Sequence, residues 1–538
     1  MNIIRGQPLN LLRLFVFILV AVAAVKLLSS SAKQRYSNDL NSFWEEKKSL
    51  ESHYQVMRGP EEHAAKLELP QGNGMNQGRH SEDDQTSKDF IKTEMRLVHL
   101  DLKGAAPKVT YLEKIFPLLS SLGANGILIE YEDMFPFHGA LEILKSSYAY
   151  STEDIDKILH LAEVNSLEVV PLVQTFGHME YVLKHDKYRH LREMEKYPNS
   201  LNPHLPESVS LVKDIVTQVL DRHSKSTWVH IGADEVFHLG DGRESKNWLN
   251  QNNGDLGKMF LNHVKEIGNF IIKKYSGIRL ILWDDMLRSI KLDTIKESGI
   301  TEYMSPVIWS YIKDLKTEVI GAELEIERMV ASLTPERIHT LRHQVKSLIR
   351  KKEHLPNLYF RYDHYSVLCE LLPVGIPSLA VCLQTLVHGG FTEIAKKKIL
   401  ETLGFNDINI QENVCVGSGT FPGYDVYQMV YRIHTSLKED VKRIEDDEAI
   451  KGWFTVYHRK HSFGNPYFME RFGNTVQRTC TDWEKFLETF RTTMETIYFS
   501  DTVSEWLDVY VNPYMETLIT IVKNYDDIIK LNARPKST

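Results

Sequence analysis

In "SVSLVKDIVTQVLDRHSKSTWVHIGADE", Ser208 to Glu235, a helical pattern leads directly into a strand-like run. The first part, "SVSLVKDIVTQVLDRHS", reads as a helix by pattern. "TWVHIGA" then runs apolar and stops at two adjacent carboxylates, Asp234 and Glu235. A strand covered on both faces reads as such an unbroken apolar run. Helix followed by buried strand is the repeating unit of a parallel α/β architecture.

The same alternation recurs on both sides of this stretch. Upstream come "RLVHLDL", the helical "TYLEKIFPLLSSLG", the run "ANGILIEYED", the helical "DIDKILHLAEVNS" and the run "LEVVPLVQTFGH". Downstream come "KMFLNHVKEIGNFIIKKYS", "IRLILWDD" and "PVIWSY". Strands recur at roughly 35- to 55-residue intervals, as parallel strands joined by crossover helices do. Each run ends in polar or aromatic residues: Asp101 and Lys103, Glu130 and Glu132, Gln174 and His178, Asp234 and Glu235, Trp283 to Asp285, Trp309. Strand C-termini are where a (β/α)8 TIM barrel carries its chemistry. An open doubly wound sheet also binds ligands there, but no G-x-G-x-x-G or phosphate loop follows the first strand. The expectation is therefore a (β/α)8 barrel over residues 93–418.

The far end of that span is less regular. Residues 318–353 read as one or two charged amphipathic helices, and "LYFRYDHY" and "SLAVCLQTL" are candidates for the last strand-like pieces. Residues 419–538 are expected to form a helical C-terminal region. At the other end, Leu14 to Val25 is uninterrupted apolar sequence with Arg5 and Arg13 before it and Lys26 after it. With its flanking leucines it reaches ~18 residues, the short end for a membrane span. Residues 1–32 are read as a signal anchor, with a cleaved signal peptide as the alternative. Either way the remainder is expected to be lumenal or extracellular, membrane-anchored or secreted. No N-x-S/T glycosylation sequon accompanies it. Residues 33–92 are polar and read as a mostly disordered stem.

The net charge of −8, with no long basic stripe, argues against a nucleic-acid binder. Four cysteines without a C-x-x-C pair argue against a disulfide framework or a structural zinc site. Oligomeric state leaves no mark on the sequence.

Asp234 and Glu235 raise the chemical question. Acids after a strand commonly serve a helix N-terminus, but here Gly232 and Ala233 allow close backbone approach and other tips supply acids and aromatics. Glycoside hydrolysis uses two carboxyls flanking the scissile bond, ~5 Å apart when retaining and ~6.5–9.5 Å when inverting. Adjacent residues have Cα atoms only ~3.8 Å apart and sit on one side of a ligand. Such a pair fits a substrate that carries its own nucleophile. The carbonyl oxygen of a 2-acetamido group can attack its own anomeric carbon. Asp234 would then orient the acetamide N–H and Glu235 would act as acid and base, its proton held more tightly beside the Asp234 charge.

"HIGADEVF", "HLDLKGA", "LIEYEDMFPF", "VVPLVQTFGHMEYVL" and "RYDHYSVLCELLP" resemble, in this order, the motifs of glycoside hydrolase family 20, the β-N-acetylhexosaminidases. The resemblance covers about residues 94–312 and 361–430. It implies a (β/α)8 barrel, retention by substrate assistance, a glycan or glycoconjugate substrate ending in N-acetylgalactosamine or N-acetylglucosamine, and no metal or organic cofactor. It implies that His178 lines the sugar site and that Lys103 pairs with sugar hydroxyls. Glu132 would either bond the same hydroxyls or form an ion pair with Lys103, and Asp285 would buttress Asp234 or the sugar. Trp283 and Trp309 would supply apolar walls, Tyr359 would substitute for a pocket residue, and Asp363 would reach outer hydroxyls. Lys103 stands where the wider family commonly has arginine, and a lysine offers a point charge rather than a fork. Residues 312–358 depart from the family pattern, and Tyr359 stands where a tryptophan is expected. That departure keeps a second reading open, a catalytically impaired member serving as a lumenal sugar-binding or scaffold protein. A metal-dependent barrel hydrolase would draw on Asp101, His178, His230 and Asp285, but no H-x-H or H-E-x-x-H motif is present.

Overall fold

The computed structural model describes residues 95–307, 338–340, 363–368, 370–410, 414–533 and 535. Seven strands make one sheet: β1 Met95–Asp101, β2 Gly126–Glu130, β3 Glu168–Leu172, β4 Trp228–His230, β5 Arg279–Trp283, β6 Met304–Val307 and β7 Ile338–Thr340. Their order is β6-β5-β4-β3-β2-β1-β7, and every neighbouring pair is parallel. The sheet curls until its edge strands β6 and β7 come within 8 Å Cα–Cα.

Crossover helices cover the outer face: α1 Val109–Ser121, α2 Thr152–Val164, α3 Pro206–Arg222, α4 Leu256–Lys274 and α5 Leu292–Ser298. α3 is the helix expected here, and it buries Val209, Leu211, Val212, Ile215, Val216, Val219 and Leu220. Ser151 starts α2 with a reciprocal capping box to Asp154, and Asp255 accepts from the Lys258 N–H at the start of α4. Each such cap contributes about 1 kcal/mol. Alternate strand residues divide into two cores, as the two-residue period of a strand requires. Val98, Leu100, Ile127 and Ile129 belong to the outer core shared with the helices. Leu97, Leu128, Val170, Leu172, Trp228, Ile281, Trp283 and Val307 form a separate inner cluster. With that interior filled, the acidic strand ends are left to form a mouth.

The C-terminal region is helical, as expected, and includes α8 Pro466–Met494, α9 Ser500–Tyr510 and α10 Asn512–Lys530. It is hydrogen-bonded to the sheet-bearing part. The Lys108 N–H donates to the Ile497 carbonyl at 2.6 Å. The Leu372 N–H donates to the Tyr498 hydroxyl at 2.8 Å, and the Leu368 N–H to Glu505 Oε1 at 2.7 Å.

The structure departs from the sequence-based expectations at three points. "SLAVCLQTL" is not a strand: it lies within α6, Leu372–His388, which packs beside α7, Glu393–Leu403. Leu379, Ala380, Val381, Cys382, Leu383, Gln384 and Leu386 are all buried, and a helix apolar all round reads like a buried strand. The 318–353 segment is not wholly helical either, since its Ile338–Thr340 pairs with Met95–Leu97 of β1. That pairing serves the backbone groups on the outer edge of β1. Among the described residues the sheet has seven strands, where eight were expected. No described helix is long and apolar enough to cross a membrane. The apolar run Leu14–Val25 and the 33–92 stem lie outside the described residues.

Candidate active site

After β4 the chain turns sharply. Gly232, Ala233 and Glu235 all take left-handed backbone angles, at φ 63°, 65° and 46°. Such angles in non-glycine residues persist only where surroundings over-determine them. Here they do. A Cβ on Gly232 would stand 2.0 Å from Gln174 Oε1, and a Cβ on Gly177 would stand 2.1 Å from the Asp234 carbonyl oxygen. The Gly232 N–H donates to His230 Nδ1 at 3.0 Å, and the Glu235 N–H donates to Asp285 Oδ2 at 2.8 Å. The tips of β3 and β5 thus hold the β4 turn from both sides.

The two acids differ in setting. The Asp234 side chain is 2% exposed and that of Glu235 is 35% exposed. Gln174 Nε2 donates to Asp234 Oδ1 at 3.2 Å and to Glu130 Oε1 at 3.0 Å. His178 Nε2 lies 3.1 Å from Glu235 Oε2 and 3.6 Å from Asp234 Oδ2. Burial opposes a charge on His178, but Asp234 and the hydrogen bond to Glu235 outweigh it and raise the imidazole to about 10. A protonated histidine therefore sits against both acids and reduces the repulsion between them.

A lysine organises the other half of the mouth. Buried Lys103 Nζ lies 2.6 Å from Asp101 Oδ2, 3.5 Å from Glu132 Oε1 and 3.9 Å from Glu130 Oε1. Burial works against its charge, yet Asp101, Glu130 and Glu132 hold its ammonium well above the usual lysine range. Burial pushes the Glu132 carboxyl well above the usual range, with Lys103 opposing and Glu130 and Asp101 adding. Glu132 also takes a left-handed backbone angle, φ 47°. Asp101 Oδ1, Glu132 Oε1, His178 Nδ1 and Glu180 Oε2 are buried without a hydrogen-bond partner. Buried polar atoms in native proteins are nearly always paired. Several orphans around one mouth suit a ligand rich in hydroxyl groups.

The structure brings Asp234, Glu235, His178, Lys103 and Glu132 to this mouth. Asp285 reaches the turn through the backbone of Glu235. Asp363 is half-buried, and its Oδ1 accepts from the Tyr365 and Ser366 N–H groups at 2.7 and 2.8 Å. Trp283, expected as an apolar wall, is 0% exposed. Its ring packs 4.2 Å from His230 and 6.1 Å from His99, in the interior cluster. Trp309 and Tyr359 lie outside the described residues, as do Tyr311 and Tyr362. Gln174 and Glu130 are legible in the sequence only as strand-end residues, and nothing in it singles out Glu180 or His364. His364 adjoins Asp363 in "RYDHY".

A curled parallel sheet with paired acids at its C-terminal mouth is the architecture expected of a glycoside hydrolase, and comparison with known proteins shows that the chain belongs to glycosyl hydrolase family 20. Residues 112–320 match that family's catalytic domain. Hexosaminidase D of Homo sapiens is 39% identical over 463 residues, covering 81% of this chain and 95% of its own length. Hexosaminidase D of Bos taurus is 46% identical over 342 residues, 58% of this chain and 98% of its own. A β-N-acetylhexosaminidase structure from Bacteroides fragilis is 15% identical with a TM-score of 0.43, covering 62% of this chain and 75% of that one.

Proposed function

We propose that the chain is an exo-acting β-N-acetylhexosaminidase. It removes terminal N-acetylgalactosamine or N-acetylglucosamine from non-reducing ends, with retention, by substrate-assisted catalysis. One observation carries the mechanism: Asp234 and Glu235 both lie within 3.6 Å of a single nitrogen, His178 Nε2. They act from one side, so the nucleophile on the other face comes from the substrate.

Glu235 gives its proton to the glycosidic oxygen as the C1–O bond breaks. The acetamide carbonyl oxygen forms the new bond to C1, giving an oxazolinium. Buried Asp234, fixed by Gln174, accepts the acetamide N–H and balances the developing positive charge. Glu235 then takes a proton from water, whose oxygen attacks C1 and reopens the ring. Lys103, Asp101 and Glu132 receive the outer hydroxyls of the sugar.

The test is hydrolysis of aryl N-acetyl-β-hexosaminides. Glu235→Gln and Asp234→Asn are each expected to lose about 100-fold or more in kcat, and fluorination of the acetamide methyl is expected to slow the wild type. Full activity in Asp234→Asn would overturn substrate assistance. A wild type that binds the sugar without turnover would favour the impaired family member.

Two finer points belong to the same reading. Successive strand–helix units and the curl of the sheet support closure into a (β/α)8 barrel. The apolar run Leu14–Val25 supports a chain anchored in the endomembrane system or secreted from it. Release of the full-length protein by alkaline carbonate, together with its absence from medium and organelle lumen, would overturn that placement.

A further inference from the structure

We infer that His364 is a positioning residue of this site: its imidazole fastens the Asp363–Ser366 turn to the end of β2 and sets the Glu132 carboxyl that receives a sugar hydroxyl. The inference rests on the hexosaminidase reading and adds a residue to it.

The geometry assigns both ring nitrogens. Nε2 lies 2.5 Å from Glu132 Oε2. Nδ1 lies 3.3 Å from Lys184 Nζ and 3.5 Å from Asp133 Oδ2. An ammonium has donors only, so Nδ1 accepts from Lys184. The ring proton then sits on Nε2 and is donated to Glu132. Burial pushes the imidazole down to about 4, with Asp133 opposing and Lys184 adding, so the ring is neutral at working pH. Lys184 is itself tied to Asp133 at 3.2 Å.

The turn that carries His364 is closed by Asp363, and the Leu368 N–H just beyond it is held by Glu505. The imidazole is therefore a fixed strut. It acts on a residue whose left-handed backbone needs outside support. With Oε2 occupied, Glu132 Oε1 remains buried, without a hydrogen-bond partner and 3.5 Å from Lys103 Nζ. Removing the strut lets the carboxyl turn toward Lys103. That weakens binding of the sugar and leaves proton transfer at Glu235 alone.

The experiment compares His364→Ala, His364→Gln, Glu132→Gln and the double variant His364→Ala/Glu132→Gln with the wild type on an aryl N-acetyl-β-hexosaminide. Loss of a hydrogen bond to a carboxyl predicts about a tenfold rise in KM for His364→Ala, with kcat within about twofold. His364→Gln, which keeps an N–H donor, is expected to recover most of the KM. The double variant is expected to match Glu132→Gln, because coupled residues are not additive. An active wild type with unchanged KM in His364→Ala, a fall in kcat alone, no recovery in His364→Gln, or additive effects would overturn the inference and leave the hexosaminidase reading standing. An inactive wild type overturns both. If His364→Ala does not fold, Lys184→Met removes the donor to Nδ1 and carries the same expectation and the same refutation.

Discussion

His178 Nε2 stands 3.1 Å from Glu235 Oε2, on a backbone held at φ 51°. The pairing joins the end of β3 to the acid on the β4 turn. His178→Ala is expected to lower kcat by about 100-fold, in the range of a lost general acid–base partner. Steady-state rates on an aryl substrate measure it, and a kcat within threefold of wild type would remove His178 from the mechanism.

The same histidine gives a pH signature in stability. Its folded value, about 10, is raised above the ordinary 6.5. Its contribution is therefore fully present below pH 6.5 and lost as pH rises through about 10. The Tm advantage of wild type over His178→Gln is expected to be constant in acid and to shrink across that window. An advantage that grows toward pH 10 would refute the assignment.

Gly177→Ala is expected to damage catalysis from a position that bears no functional group. Its Cβ would stand 2.1 Å from the Asp234 carbonyl oxygen, so the turn must shift. Displacements near 1 Å cost about 100-fold in rate. Gly390→Ala, where a Cβ meets nothing within 4 Å, is the matched control and is expected to be silent.

Lys103→Met is expected to destabilise the fold by about 3 kcal/mol, because it leaves buried carboxyls without their cation. Lys103→Arg keeps the charge and is expected to retain more of that stability. Urea unfolding separates the two, and equal midpoints would show that the ammonium does not hold this cluster.

Trp283→Phe is expected to cost stability, about 2 kcal/mol, and to leave KM within about twofold. Its ring is enclosed between His230 and His99. A large KM increase without loss of stability would place Trp283 in contact with the sugar.

The sheet was legible because a parallel strand covered on both faces leaves a continuous apolar run, as "GILIE" does in β2, where every residue is buried. Asp234 and Glu235 were legible because covalent adjacency limits geometry without any knowledge of the fold. Periodicity failed where a helix is buried all round, as in α6. It also failed at Ile338–Thr340, where the edge of β1 outweighs the helical tendency of a charged segment. The depth of Trp283 is set by curl, which no run of residues encodes. Gln174, Glu130 and His364 act through partners 44 to 232 positions away. Only the meeting of strand ends reveals such pairs.

The hydrogen bonds from Lys108 to Ile497 and from Leu372 to Tyr498 have a consequence for how the molecule comes apart. They cross from one end of the described chain to the other, so the helices that follow the sheet are not an appendage. Cutting the chain at 418 would strip acceptors from the loop after β1 and from the start of α6 together. The part that bears the acids and the part that bears none are expected to melt as a single calorimetric event. A protease that nicks α9 would then silence an active site to which that helix contributes no catalytic group.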